Sequence, residues 1–278
     1  MMKKIVLTGA AGDLGSKLRK SLSEICHELL STDINEITEP LENERFIQAD
    51  IANYDAVHAL MDGADMVIHF AAIVDEKPFD DLLGPNFIGS YNVWETAYQA
   101  GVRRIIYASS IHAVGMAPVT DNVGVDAPHM PDTFYGLAKC FTEDLGRMYW
   151  EKRGLESVHL RICSCAPVKN ARALGTWLSY DDLERLVLAA ISTQVTGFSI
   201  VYGVSNNDRA PVDNTKARHI GYHPKDNAEQ YADQILAIAP NPDPKNPAQY
   251  YIGGPFAAVD LGSSGMDAIR KLNKDTSG

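Results

Sequence analysis

Lys3-Lys-Ile-Val-Leu-Thr8-Gly-Ala-Ala-Gly12-Asp-Leu-Gly15 is the stretch that decides the fold. Residues 3–8 are a short apolar run that reads as a buried strand. A glycine turn follows at once, and a helix opens from it and runs to about Leu22. Gly9, Gly12 and Gly15 allow a tight turn and a close approach of backbone to a pyrophosphate, whose charge suits a helix N-terminus. Asp13 and Leu14 lie in the same turn and are expected to border that ligand. The spacing is Gly-x-x-Gly-x-x-Gly rather than Gly-x-Gly-x-x-Gly. The turn therefore carries weight because of where it stands, after a first strand and before a helix.

Outward from the turn, residues 27–32 predict a second strand ending at Asp33. A carboxylate there can accept both ribose hydroxyls of NAD and would repel a 2′-phosphate. The following Ile34-Asn-Glu36 offers no cation, so NAD is expected rather than NADP. A helix-cap or turn role is the alternative for Asp33. Strands are predicted at 45–49, 65–70, 104–108 and 157–162, with helices at 54–61, 86–100 and 133–152. This alternation implies parallel βαβ units, an α/β fold with a Rossmann-type doubly wound sheet.

Further along, a helix is predicted over 180–191, with Ser179 and Asp182 at capping spacing. A strand over 198–204 and a helix over 227–238 follow. Pro240, Pro242, Pro244 and Pro247 then break the chain before a Gly/Ser-rich tail. The expectation is one NAD-binding domain over 1–278, with a small C-terminal extension and substrate-binding elements mainly from about 163–278. Asp50 and Ile51 are expected near the adenine, and Ala71 and Ala72 are small enough for backbone to pass beside the cofactor. Asn86 is expected to open the long helix and to order the catalytic helix through a side-chain bridge, with a cap role as the alternative.

Tyr135-Gly-Leu-Ala-Lys139 places a phenol and an ammonium four residues apart on one helical face, and Ser109-Ser110 closes an apolar run upstream. A cation beside the phenol is expected to lower its pKa, making Tyr135 a general base. Ser110 would hydrogen-bond the reacting oxygen, and Ser109 and Lys139 would border the cofactor. Any helix can carry Tyr-x-x-x-Lys by chance; the glycine turn and the serine pair give the spacing its meaning.

The chain has 278 residues and a formal charge of -11, which argues against nucleic acid and anionic membranes as partners. No stretch approaches the roughly 20 apolar residues of a membrane span, and the basic start has no cleavage site, so a cytoplasmic protein is expected. Cys26, Cys140, Cys163 and Cys165 form neither Cys-x-x-Cys nor a disulfide framework, and the histidines are scattered. Buried thiols and no metal are expected.

Together these residues resemble the extended short-chain dehydrogenase/reductase superfamily: Thr8-Gly-Ala-Ala-Gly-x-x-Gly15, Asp33, Ser110, Tyr135 and Lys139. Within it the chain is similar to the uronate dehydrogenases, through Glu76-Lys-Pro-Phe79, Tyr135-Gly-Leu-Ala-Lys-Cys-Phe-Thr-Glu143, Arg161-Ile-Cys-Ser-Cys165, Thr176-Trp177 with Asp181-Asp182, and Lys225-Asp-Asn-Ala-Glu229. The resemblance implies oxidation of C1 of D-galacturonate or D-glucuronate with NAD, to an aldarolactone, by a homo-oligomer. It also implies that Ser164 and Arg172 bind the carboxylate, a chemistry that suits a planar guanidinium. A surface salt bridge is the other reading of Arg172. His112 would contact the sugar, or else is simply packed. Val74, Ile111 and Pro211-Val212 depart from the family pattern, which implies fewer hydrogen bonds to sugar hydroxyls. A sugar-nucleotide epimerase and an NAD-sensing regulator share the cofactor motifs. The first usually has a larger C-terminal lobe, and the second tends to lose the Tyr-Lys pair.

Overall fold

Strand β1 (Met2–Thr8) runs through the middle of a seven-stranded sheet. A computed structural model describes residues 2–275 except 240 and 242, so Pro240, Pro242 and the end of the Gly/Ser tail lie outside the described residues. The other strands are β2 (Cys26–Asp33), β3 (Glu44–Gln48), β4 (Met66–His69), β5 (Arg104–Tyr107), β6 (Glu156–Ile162) and β7 (Phe198–Gly203). Their order is β3-β2-β1-β4-β5-β6-β7 and every pairing is parallel. The helices between them are α1 (Asp13–Ser23), α2 (Tyr54–Met61), α3 (Gly89–Gln99), α4 (Phe134–Arg153) and α5 (Tyr180–Ser192).

Parallel strands covered on both faces read as unbroken apolar runs, and Ile5, Val6 and Leu7 are all fully buried. Alternate side chains feed two cores. Ile5 and Leu7 pack with Leu18 and Leu22 of α1 and Leu183 and Leu186 of α5. Val6 packs with Val57 and Leu60 of α2, Val93 and Trp94 of α3, and Leu145 of α4. The chain leaves β1 toward β2 on one side and joins β4 on the other. That reversal opens a crevice at the carboxyl ends of the strands, where ligands bind in such sheets.

Local signals account for the helix ends. Thr133 caps α4 by accepting Gly136 N–H at 3.0 Å, and Gly154 closes it in the left-handed region. Ser179 caps α5 by accepting Asp182 N–H at 2.9 Å. Two expectations are corrected. The helix expected from Asn86 already begins with Phe79–Leu82 and passes through a π-helical turn, Leu83–Ile88, into α3. Pro85 lies inside that turn; proline more often opens a helix, which is why the sequence suggests a later start. The helix expected over 227–238 divides into a 3-10 turn, Ala228–Tyr231, and α6 (Ala232–Ile238).

The C-terminal part is tied back by three carboxylates, two of them buried. Asp182 accepts Lys225 N–H at 2.9 Å and Asp226 N–H at 3.0 Å, so two separated motifs form one joint. Asp75 and Glu76, after β4, hold the approach to α7 (Gly265–Asp275). Asp75 accepts Met266 N–H at 3.0 Å and Ser264 O–H at 2.6 Å. Glu76 accepts Gly262 N–H at 2.8 Å and Tyr135 N–H at 2.9 Å. No helix among the described residues is long and apolar enough to cross a membrane.

Candidate active site

A cavity of about 760 Å³ occupies the crevice. Gly9, Gly12, Asp13, Leu14, Gly15, Asp33, Asp50, Ile51, Ala71 and Ala72 line it over β1, β2 and β4. Ser109, Ser110, His112, Tyr135, Lys139, Ser164 and Arg172 line it beyond β5 and β6. Gly9 has φ +77°, and a Cβ on Gly15 would collide with the Gly9 carbonyl, so α1 starts hard against the turn. Asp33 accepts Ala11 N–H and Asn35 N–H, each at 3.0 Å, while its side of the turn borders the cavity. The turn role and the cleft position thus coexist in one carboxylate. The residues present fit a dinucleotide: a bare glycine cradle at a helix N-terminus, then an acidic group at the end of β2.

Asn86 is a correction. It does not line the cavity, and its amide bridges to Ile73, donating to the carbonyl at 2.9 Å and accepting the N–H at 2.8 Å. It orders the loop after β4, not the catalytic helix.

Tyr135 and Lys139 share a face of α4 as expected, with Lys139 Nζ 5.2 Å from the Tyr135 ring centre. Nζ donates to Ala108 O at 2.8 Å, just before the serine pair. Ser110 Oγ accepts His112 N–H at 3.2 Å and lines the cavity beside the phenol. The electrostatics correct the sequence expectation. Burial pushes the Tyr135 phenol up to about 12, against a downward pull from Ser110, with Asp132 raising it further. Burial also brings Lys139 down to about 7, with Glu143 opposing. A lysine that has lost much of its charge at neutral pH cannot hold the phenol low by itself.

Behind Ser109 lies a polar network that the sequence reading missed. Glu143 accepts Ser109 O–H at 2.6 Å, Arg161 Nε–H at 3.0 Å and Nη2–H at 2.8 Å, and faces His129 Nε2 at 2.8 Å. Burial alone would raise this carboxyl; hydrogen bonds from His129 and Arg161 outweigh it and hold the group at about 2. The available signal was spacing, because Glu143 stands four residues after Lys139, on the same stripe of α4.

At the other wall, Arg172 is half-buried and reaches no carboxylate among the described residues. Nη1 donates to Ser164 Oγ at 3.0 Å and Nη2 to Ile252 O at 2.8 Å, while Nε is buried without a partner. Burial lowers its pKa, countered by Cys163 and Asp132. A surface salt bridge is therefore excluded. Gly254, at φ +64°, packs against the guanidinium, and a Cβ there would collide with it. His112 Nδ1 lies 2.7 Å from Asp132 Oδ2, and its ring stacks on Phe256 with centres 4.1 Å apart.

Of the departures from the family pattern, Val74 lines the cavity and is 61% exposed. Ile111 is a correction: it is fully buried with Val114, Tyr202 and Ile252, so its side chain faces no sugar. Pro211 and Val212 do not line the cavity either, and Val212 pairs with Val123 in a two-residue ladder. Phe256, Met266 and Ile269 add an apolar wall that the sequence reading did not assign. Burial raises the Cys163 and Cys165 thiols to about 12. Among the described residues no group of three or more His, Cys, Asp or Glu side chains gathers as a metal site would.

Residues 5–172 match the model of the NAD dependent epimerase/dehydratase family. The uronate dehydrogenase of Pseudomonas putida is 41% identical over 258 residues, covering 92% of this chain and 96% of that one. The uronate dehydrogenase of Agrobacterium fabrum is 41% identical over 256 residues, covering 92% and 97%. The chain belongs to the uronate dehydrogenase family. The crystal structure of the uronate dehydrogenase from Agrobacterium tumefaciens superposes with a TM-score of 0.89 at 40% identity, covering 93% of this chain and 98% of that one. A structure of the Agrobacterium tumefaciens enzyme with one tyrosine replaced by alanine is a complex with NAD, with a TM-score of 0.89 at 39% identity over 94% and 98% of the two chains. The family assignment and the crevice agree on a Rossmann-type, NAD-dependent oxidoreductase.

Proposed function

We propose that this chain oxidises the C1 hydroxyl of D-galacturonate or D-glucuronate with NAD, giving the aldarolactone. The observation that carries the reading is a half-buried arginine, its Nε sealed from solvent, with no carboxylate partner among the described residues and facing the same cavity as Tyr135 and Ser110. A uronate supplies both missing pieces, an anion for the guanidinium and a hydroxyl for the phenol. Gly9, Gly12, Asp13, Leu14, Gly15, Asp33, Asp50, Ile51, Ala71, Ala72, Ser109, Tyr135 and Lys139 would hold NAD. When bound, NAD supplies the hydride acceptor and a positive ring near the phenol.

Each side chain then has a task. Arg172 and Ser164 hold the C6 carboxylate and fix the sugar's direction in the cleft. Ser110 donates to the C1 oxygen. Tyr135 takes the hydroxyl proton while the C1 hydrogen leaves as hydride, so C1 becomes the lactone carbonyl and the ring oxygen stays in place. Lys139, anchored on Ala108 O, steadies the phenolate. Water hydrolyses the released lactone to the aldarate.

The same reading makes the partner a small sugar acid, not nucleic acid or membrane, and places the enzyme in the cytoplasm. Exposed Ile88, Tyr91 and Tyr98 beside or on α3, with Leu137, Phe141 and Met148 on α4, offer apolar surface for a homo-oligomer; light scattering would read its size. The test of mechanism is Tyr135→Phe. It should bind NAD as the wild type does and lose about 10²–10⁴-fold in kcat. Wild-type turnover in that variant would remove Tyr135 from the chemistry.

A further inference from the structure

Asp132 stands two residues before the start of α4. Its side chain is sealed from solvent, yet it does not line the cavity. One carboxylate oxygen, Oδ1, accepts Thr133 O–H at 2.9 Å. The other, Oδ2, lies 2.7 Å from His112 Nδ1. Three glycines clear the space around it. A Cβ on Gly115 or Gly253 would overlap the carboxylate, and one on Gly136 would come within 3.1 Å of Oδ1. Two separate loops have thus given up side chains to admit one buried acid, and Gly136, which also makes room for the His112 carbonyl, borders it on a third side.

An ionised carboxylate accepts hydrogen bonds and donates none. Contact with Asp132 therefore requires that Nδ1 of His112 carry hydrogen, and a neutral ring then has a lone pair on Nε2. The ring itself is held on two more sides. It stacks on Phe256, with planes 27° apart, and meets the Tyr135 ring edge-on with centres 5.7 Å apart. It also lines the cavity beside Tyr135 and Ser110.

We propose that Asp132 is a positioning residue that locks His112 as the Nδ1–H tautomer, so that Nε2 accepts a hydrogen bond from a sugar hydroxyl beside the reacting carbon. This rests on the reading of the cleft as a uronate site. The arrangement divides the labour within the pocket. Arg172 donates to the carboxylate at one end of the sugar, and His112 accepts from a hydroxyl near the other. A sugar whose hydroxyl there is replaced by fluorine, which cannot donate, loses the contact although its shape is nearly kept.

Long-range proton–nitrogen NMR on the full-length chain with 15N-labelled histidine, at alkaline pH, reads the tautomer directly. His112→Gln assigns the signal. The wild type should show hydrogen on Nδ1 and a bare Nε2, and Asp132→Leu should lose that preference. In kinetics, Asp132→Asn should lower kcat/KM for the uronate by roughly 5- to 150-fold, the loss expected when a buried partner is removed, with the KM for NAD unchanged. In the His112→Gln background the same change should cost nothing further, because the two act as one unit.

Hydrogen on Nε2 in the wild type overturns the proposal whatever the substrate proves to be. An equal kinetic loss from Asp132→Asn in both backgrounds overturns it too, since Asp132 would then act through the fold. If His112→Gln keeps wild-type kcat/KM, the sugar contact is wrong while the uronate reading stands. If no uronate is oxidised at all, the functional reading fails, and the NMR result still decides whether Asp132 sets the tautomer.

Discussion

Replacing Arg172 by Met keeps much of the side chain's length and removes every donor, which isolates what the guanidinium does. In the structure Nη1 serves Ser164 and Nη2 serves Ile252 O, while Nε has no hydrogen-bond partner and no carboxylate among the described residues touches the guanidinium. An incoming carboxylate would gain at least one charge-assisted hydrogen bond, worth about 1.5–3 kcal/mol. That converts to a loss of roughly 10- to 150-fold in kcat/KM on galacturonate or glucuronate. The variant also leaves Ile252 O without its donor, but this penalty falls on every substrate alike. The assay is therefore a ratio: kcat/KM on galacturonate against galactose, in wild type and variant, from initial rates of NADH formation. The neutral sugar should be a poor substrate of the wild type and lose little more in the variant. Equal losses on both sugars would show that Arg172 only supports the loop and would refute carboxylate recognition.

Two further outcomes follow from the buried charges. Lys139→Met should lower kcat by at least about 10²-fold, as loss of general-base support does, yet melt higher than the wild type at pH 7. The sign comes from the depressed pKa. Lys139 falls from its ordinary 10.5 to about 7 in the fold, so the unfolded chain holds the extra proton between those values. Wild-type stability therefore rises with pH across that window, and the gap to Lys139→Met, followed by thermal melts, should narrow from pH 7 toward 10. A gap that widens instead would mean Lys139 is charged and satisfied in the fold. At the cofactor end, the wild type should strongly prefer NAD, and Asp33→Ala should narrow that preference by removing both the ribose acceptor and the repulsion of a 2′-phosphate. Equal kcat/KM for NAD and NADP in the wild type would place Asp33 away from the ribose.

What was legible in the sequence is what local pattern can carry. Apolar runs of strand length, the glycine turn, Ser179 as a cap, and the four-residue spacing of Tyr135 and Lys139 all depend on neighbours within a few positions. The βαβ alternation then leaves few sheet orders open, and the crevice follows from the reversal at β1. What was not legible depends on distant partners. Glu76 meets Gly262 across 186 residues, so the return of the C-terminal segment to the cavity leaves no local trace. Ile111 looked like a cavity position beside His112, but it begins a short 3-10 turn that rotates it into the core. The Tyr135 pKa was misjudged because spacing shows that a lysine is near, not that both groups are dry. Asp132 gave no signal at all: its meaning comes from three glycines, one of them more than a hundred residues away.

The most direct measurement mixes the purified chain with NAD and a panel of sugars and follows NADH absorbance while carbon NMR identifies the product. Galacturonate or glucuronate should yield NADH and an aldarolactone that opens to the aldarate, and Tyr135→Phe should yield almost none. No NADH from any uronate, with turnover of a nucleotide sugar in its place, would contradict the uronate site and return the crevice to an epimerase.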